Sequence, residues 1–175
     1  YRYGMKKAEV QMTFFKKVKP NVFDKIIEKE ENNGHIKRVD EFLCTPDYEV
    51  TKDDTYEKVS GTYLDSFRKA KYDFLKYTEI DLGKVSREIG DDILKILLEE
   101  GKIVKVTDDM YTLTEYMDKA KEIILAKLSE DPIITIAQVR DIFDTSRKSA
   151  KPILEYMDSI KVTKKTGAES ERVAY

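Results

Sequence analysis

Apolar positions in the last third of the chain repeat at helical spacing. Met117, Ala120, Ile124 and Leu128 fall on one face, with Ile123 beside them, which predicts a helix over Tyr116 to Ser129. Asp131-Pro132 stops it, because proline brings no amide and disfavours helix in the residue before it. The tetrad "TIAQ", Thr135 to Gln138, reads as a capping box opening a short helix that buries Val139, Ile142 and Phe143. After a turn at Asp144 and Thr145, a third helix runs to about Asp158 and buries Ile153, Leu154, Met157 and Ile160. "KVTKKTGAESERVAY" then returns to the strand-turn-strand pattern of a hairpin. Three helices and a hairpin make a winged helix-turn-helix.

The same unit recurs upstream. "IIEKEENNGHIKRVDEFLCT" and "LKILLEEGKIVKVTDDMYTLT" each carry a helix ending in acids, a glycine (Gly34, Gly101), a strand, an acidic turn and a second strand. In the last copy Ser159 stands where that glycine would be. A unit of roughly 60 residues is thus present three times. The middle copy opens with a helix over Thr55 to Ala70 burying Tyr56, Val59, Tyr63 and Phe67, and "DLGKVSREIG" and "DDILKILLEEG" predict its second and third helices. The first copy starts at "YGMKKAEV", which reads as a second helix, so its own first helix lies upstream. The expected fold class is mainly α with small β-hairpins (α+β), arranged as tandem winged helix-turn-helix modules over residues 1–52, 53–115 and 116–175.

Composition narrows the function. Charged residues are 38% and apolar residues 41% of the chain, which suits a folded, heavily charged protein rather than a disordered one. The net charge of −2 hides a gradient: residues 1–39 hold ten Lys and Arg against five Asp and Glu, whereas residues 40–116 hold eleven against nineteen. A single cysteine, Cys44, excludes an internal disulfide and reads as a buried thiol in a strand; a lone histidine, His35, has no companion with which to hold a metal. No apolar run is long enough for a bilayer span and no signal peptide is visible, so a cytoplasmic protein without a membrane partner, and a monomer, is expected. No nucleophile-base pair and no glycine-rich phosphate loop can be assembled, so this segment is not expected to be an enzyme or to hold a cofactor of its own.

Basic residues carry the remaining signal. "TSRKSAK" gathers Arg147, Lys148 and Lys151 at the start of the third helix while Glu155 and Asp158 lie near its end, opposite to what the helix dipole favours. A bound phosphate would resolve that conflict, with helix-start amides adding to the cations. Pro152 falls in the first turn if the helix starts near Ser149 and kinks it if the helix starts at Ser146. Lys164, Lys165 and Arg172 on the hairpin can join the same surface, making a nucleic-acid contact the leading reading over a solvated charged face. Lys16, Lys17, Lys19, Lys37 and Arg38 in the first copy read first as a solvated face and second as another anion site. The middle copy's third helix, opening on Asp91 and Asp92, would repel phosphate and reads as a spacer or protein-facing module. A DNA-binding regulator and a protein-interaction scaffold are the rival readings.

The wording of the last module is specific. Its "T-x-x-x-x-R-D-x-x-x-T-S-R-K", then "L-E-Y-x-D", "V-T-K-K" and closing "R-V" resemble the final winged helix of the bacterial selenocysteine-specific elongation factors, through Thr135, Arg140-Asp141, Thr145 to Lys148, Leu154 to Tyr156, Asp158, Val162 to Lys165 and Arg172-Val173. The segments "GKIVKVTDDMYTLTEYMDKAKEII" and "RYGMKKAEV" are similar to that family's preceding modules. The resemblance implies a C-terminal mRNA-binding region that recognises the selenocysteine-insertion hairpin beside a recoded UGA and works on the ribosome. A GTPase domain, with its GTP and magnesium, would lie outside this chain. It also implies RNA contacts at Arg140, Arg147, Lys148, Lys151, Lys164, Lys165 and Arg172, with the loop around Ala168 to Glu171 departing from the family pattern.

Overall fold

A computed structural model describes residues 1–175, which form two compact units, Tyr1–Asp53 and Asp54–Tyr175. In the first unit a short strand β1 (Met5–Lys6) leads into α1 (Lys7–Phe14), α2 (Pro20–Asn32) and a hairpin of β2 (Lys37–Val39) and β3 (Phe42–Cys44). The second unit begins with α3 (Asp54–Ala70), β4 (Leu75–Lys76), a single 3-10 turn at Tyr77–Glu79, α4 (Arg87–Glu99), β5 (Ile103–Lys105) and β6 (Met110–Leu113). It continues with α5 (Thr114–Glu130), β7 (Ile134–Thr135), α6 (Ile136–Ile142), α7 (Arg147–Ser159), β8 (Thr163–Lys165) and β9 (Glu171–Ala174). Each of the three sheets is antiparallel with the hairpin's second strand in the centre, in the orders β1-β3-β2, β4-β6-β5 and β7-β9-β8. The third helix of every module, α2, α4 and α7, is 13 residues long.

The middle module departs from the pattern read in its sequence. "DLGKVSREIG" is not a helix: Asp81 to Val85 is irregular, and one helix runs from Arg87 through both expected elements. Ser86 caps it, accepting a hydrogen bond from the Ile89 amide at 3.4 Å. Gly90, which punctuates the sequence like a break, lies inside the helix because a Cβ there would meet Leu82 Cδ1 at 2.3 Å and the Tyr63 hydroxyl at 2.8 Å. In place of a second helix, the Arg87 guanidinium donates to the carbonyls of Tyr77 at 3.0 Å, Thr78 at 3.1 Å and Ile80 at 2.9 Å, fixing the irregular segment. The third helix therefore opens on a structural arginine, four residues before Asp91.

The helix-to-wing turns also correct a sequence reading. The left-handed residue after each third helix is Gly34 (φ 72°), Gly101 (φ 67°) and Lys161 (φ 58°), so the counterpart of the glycines is Lys161 and not Ser159, which is still helical. Ile160 and Ile142, expected in the core, are 41% and 38% exposed, since the C-terminal turns of α7 and α6 roll them outward.

Phe23 and Ile27 of α2 and Leu43 of β3 form the core of the first unit, with Cys44 buried beside them, as the strand pattern indicated. Burial pushes the Cys44 thiol up from its ordinary value, against the opposing pull of Lys37. In the second unit, Phe74 and Met110 of the middle module pack into the same cluster as Met117, Ala120, Ile124, Ile134, Val139, Ile153, Leu154 and Met157 of the last. No residue separates β6 from α5, and the boundary read at 115/116 falls inside α5. The last two modules close around one shared core.

Candidate nucleic-acid interface

The interface is built where α6, α7 and the wing loop meet. Thr135 starts α6 with the expected capping box: its hydroxyl accepts from the Gln138 amide at 3.2 Å, and its own amide donates to Gln138 Oε1 at 2.8 Å. The following amide, Ile136, donates to the Ser170 carbonyl at 3.0 Å, which fastens the wing loop to the start of α6. Two adjoining clefts result, with Arg147 shared between them. One of about 300 Å³ is lined by Thr135, Ile136, Ala137, Arg140, Arg147 and Ser170, and one of about 440 Å³ by Ile136, Arg147, Lys151, Glu169 and Ser170. Two guanidinium groups and an ammonium thus surround a floor formed by the Ile136 side chain. That combination suits a phosphate together with an unstacked base, the first through charge and the second through flat apolar contact.

The seven cations singled out in the sequence divide into groups. Arg140, Arg147 and Lys151 line the clefts, and Arg147 and Lys148 are the first two residues of α7, both exposed. Pro152 is a buried sixth residue of that helix, which starts directly after Ser146, so its missing amide leaves the Lys148 carbonyl without a helical donor. Arg140 is held by its neighbour Asp141 at 2.7 Å, and Lys151 lies 3.7 Å from Glu155 and 3.4 Å from Glu169. These exposed pairs are weak and exchangeable for phosphate.

Arg172 is a correction: it is not on the exposed cationic surface. Its side chain is fully buried, its Nε donates to Asp158 Oδ2 at 2.7 Å, and its Nη1 donates to the carbonyls of Glu169 at 2.7 Å and Glu171 at 3.1 Å. The pairing register explains why: Arg172 lies opposite Lys165 and Ile134, on the side of the sheet that faces the core at Ile134. The single surface expected for the wing is also divided, since strand alternation sends Lys164 and Lys165 to opposite faces. Lys164 extends over the Tyr175 ring, 5.8 Å from its centroid, beside Lys161 at 5.9 Å. Lys165 is exposed at the wing tip.

The start of α7 is less open to an anion than its sequence suggested. Asp73, from the middle module, accepts from the Ser146 amide at 3.1 Å and from the Thr145 hydroxyl at 2.6 Å, and Thr145 also reaches the Tyr72 carbonyl at 2.8 Å. Those bonds, that from Thr145 first, hold the Asp73 carboxyl below its usual range. The Phe74 amide donates to the buried Ser149 hydroxyl at 3.1 Å. A carboxylate of the neighbouring module already occupies the first free amide of the helix start. Asp73, Ile136 and Ser170 were not singled out in the sequence. Their partners are set by tertiary contact, and only the capping box, which fixes the start of α6, hinted at the cleft floor.

Fold and site together define a class: tandem winged helices whose last module presents a cationic cleft between its third helix and its wing. The particular kinship follows from comparison with known proteins. Residues 126–170 match the family described as the winged helix of elongation factor SelB. A selenocysteine-specific elongation factor of Desulfomicrobium baculatum is 23% identical over 95% of this chain, which spans 26% of that protein. Among solved structures, the mRNA-binding domain of elongation factor SelB from E. coli in complex with SECIS RNA aligns with 70% of this chain and 98% of its own, at 20% identity and a TM-score of 0.53. A bacterial selenocysteine-specific elongation factor, EF-Sec, aligns with 99% of this chain and 26% of its own, at 17% identity and a TM-score of 0.58. The resemblance read in the sequence is therefore borne out.

Proposed function

We propose that this chain is the mRNA-binding C-terminal region of a selenocysteine-specific elongation factor, and that its last module grips the loop of a selenocysteine-insertion hairpin. The observation that carries this reading is the cleft shared by Arg140, Arg147 and Lys151 in the very module that matches the SelB winged helix. Lys148 and Lys165 extend its charge along the backbone of the bound strand, and Lys164 lies on the far face of the wing. The chain spans about a quarter of its curated relative. GTP hydrolysis, with its nucleotide and magnesium, belongs to a part of the protein outside these residues, and the ribosome is the expected second partner. The setting is cytoplasmic, and no helix here is long and apolar enough to cross a membrane.

The test is titration of the full chain with a selenoprotein hairpin, a loop-scrambled hairpin and a DNA duplex across a salt series. With about four phosphates neutralised, log affinity should fall against log salt with a slope of roughly −3. Arg147→Ala should cost about 1–3 kcal/mol and narrow the preference for the true loop, whereas Lys148→Ala should weaken every RNA alike. Glu169→Gln frees Lys151 from one exposed carboxylate and should tighten RNA binding about twofold. Equal affinity for hairpin and DNA duplex would refute the RNA reading in favour of a DNA-binding regulator.

A further inference from the structure

We propose that the turn between α1 and α2 in the first unit is a second RNA-binding surface, in which Lys16, Lys17 and Lys19 engage the phosphate backbone of an RNA duplex. The turn stands in the same topological place as Asp144 to Ser146 in the last module: between the short second helix and the 13-residue third helix. Phe15 and Phe143 end the preceding helices at corresponding points, and Lys19 and Ser146 are the caps that follow. In a winged helix this corner projects toward nucleic acid ahead of the third helix.

Several other cations of the unit are paired. Lys6 is bound to Glu41 at 2.8 Å, Lys7 to Asp24 at 2.7 Å and Arg38 to Glu31 at 2.7 Å, while Lys37 donates to the carbonyls of Pro46 at 3.0 Å and Tyr48 at 2.8 Å. Lys16, Lys17 and Lys19 are exposed and have no carboxylate partner; Lys25 and Lys29 on α2 are likewise exposed and unpaired, but only the first three gather along one turn. The two corresponding corners of the second unit differ. Asp73 closes one, and carbonyl groups absorb Arg87 at the other.

The chemistry indicates the kind of partner. Ammonium groups on flexible stems act as point charges for phosphate and do not form the planar forks that read base edges, so contact without sequence preference is expected. Phe14 and Met12, 67% and 64% exposed beside the turn, add apolar surface that can rest against the shallow minor groove and riboses of an A-form helix. An acidic protein surface would use the charges but not this apolar flank. The inference shares no residue with the reading of the last module, so either can fail alone.

The experiment uses the full chain carrying Lys16→Gln, Lys17→Gln and Lys19→Gln together, with a blunt-ended RNA duplex lacking any loop as probe. Affinity for the duplex should fall roughly tenfold, and the salt slope should flatten by about 3, corresponding to three lost phosphate contacts on a duplex. The ratio of affinities for the selenoprotein hairpin and its loop-scrambled control should be unchanged. The triple Lys→Arg variant, which keeps the charge, should restore duplex binding and guards against a folding defect in the Gln variant. Arg147→Ala should erode the hairpin preference without removing the lysine-dependent duplex binding. Unchanged duplex affinity and slope in the Gln variant, or an Arg variant as weak as the Gln variant, would overturn the proposal.

Discussion

A single arginine shows how burial reassigns a residue. Arg172 reads in the sequence as one more cation on a basic wing, yet it ties the second wing strand to the end of α7 through Asp158 and holds the wing loop by two carbonyls. Removing a fully buried guanidinium exposes Asp158 and unties that loop, so Arg172→Ala should destabilise the second unit by about 3 kcal/mol in denaturant unfolding. The salt slope of RNA binding by the folded fraction should not change. Lys161 predicts the opposite sign. It holds a left-handed conformation that the other modules give to glycine, and Lys161→Gly should raise stability by about 0.5–1 kcal/mol. Asp91 combines a buried oxygen that lacks a hydrogen-bond partner with a carboxyl raised by burial. Because the folded state binds its proton more tightly, its contribution to stability declines as pH rises from the ordinary carboxyl value through the raised one. Asp91→Asn should therefore raise the melting temperature at neutral pH and have less effect in acid.

At the scale of elements, helical and alternating periodicities made most of the architecture legible. The hairpins, the capping box at Thr135, α3 with Tyr56, Val59, Tyr63 and Phe67, and the buried face of α7 all follow from them. Local punctuation misled in the middle module, where Gly90 looks like a terminus but makes room for the Leu82 and Tyr63 side chains, and where Arg87 does the work of a missing helix. The site was legible as a cluster of cations but not as a cleft, because its floor and its rim come from Ile136 and Ser170, joined only by a backbone hydrogen bond. The plug on α7 was illegible for a simpler reason: Asp73 lies 72 and 73 residues from Thr145 and Ser146. That carboxylate is depressed, so its contribution to stability is present above the ordinary aspartate range and is lost as pH falls through the folded value. Asp73→Ala should cost about 1 kcal/mol, as loss of a helix cap does, and hydrogen exchange at the Ser146 amide should accelerate.

At the scale of the molecule, sequence repetition suggested three modules, whereas packing yields two compact units, the second made of two fused modules. Phe74 and Met110 are only 5% and 7% exposed because the last module covers them, and Met117 and Ile134 are shielded in return. Residues 54–175 should accordingly unfold in one cooperative transition followed by circular dichroism, and a fragment of residues 116–175 should melt lower. A single-module fragment is for that reason a poor vehicle for measuring hairpin binding, and affinities belong to the pair.

The direct junction of β6 with α5 also bears on how such chains can be recombined. Parts separated by slack linkers can be swapped between relatives one at a time, but here a splice at residue 115 would sever a helix and strand half of a common interior. Chimeras spliced near residue 53 should remain soluble, while those spliced at 115 should aggregate on expression; the reverse would mean the two halves are independent after all. Descent would then trade the last two modules as a single heirloom, keeping the closing module attached to its acidic neighbour.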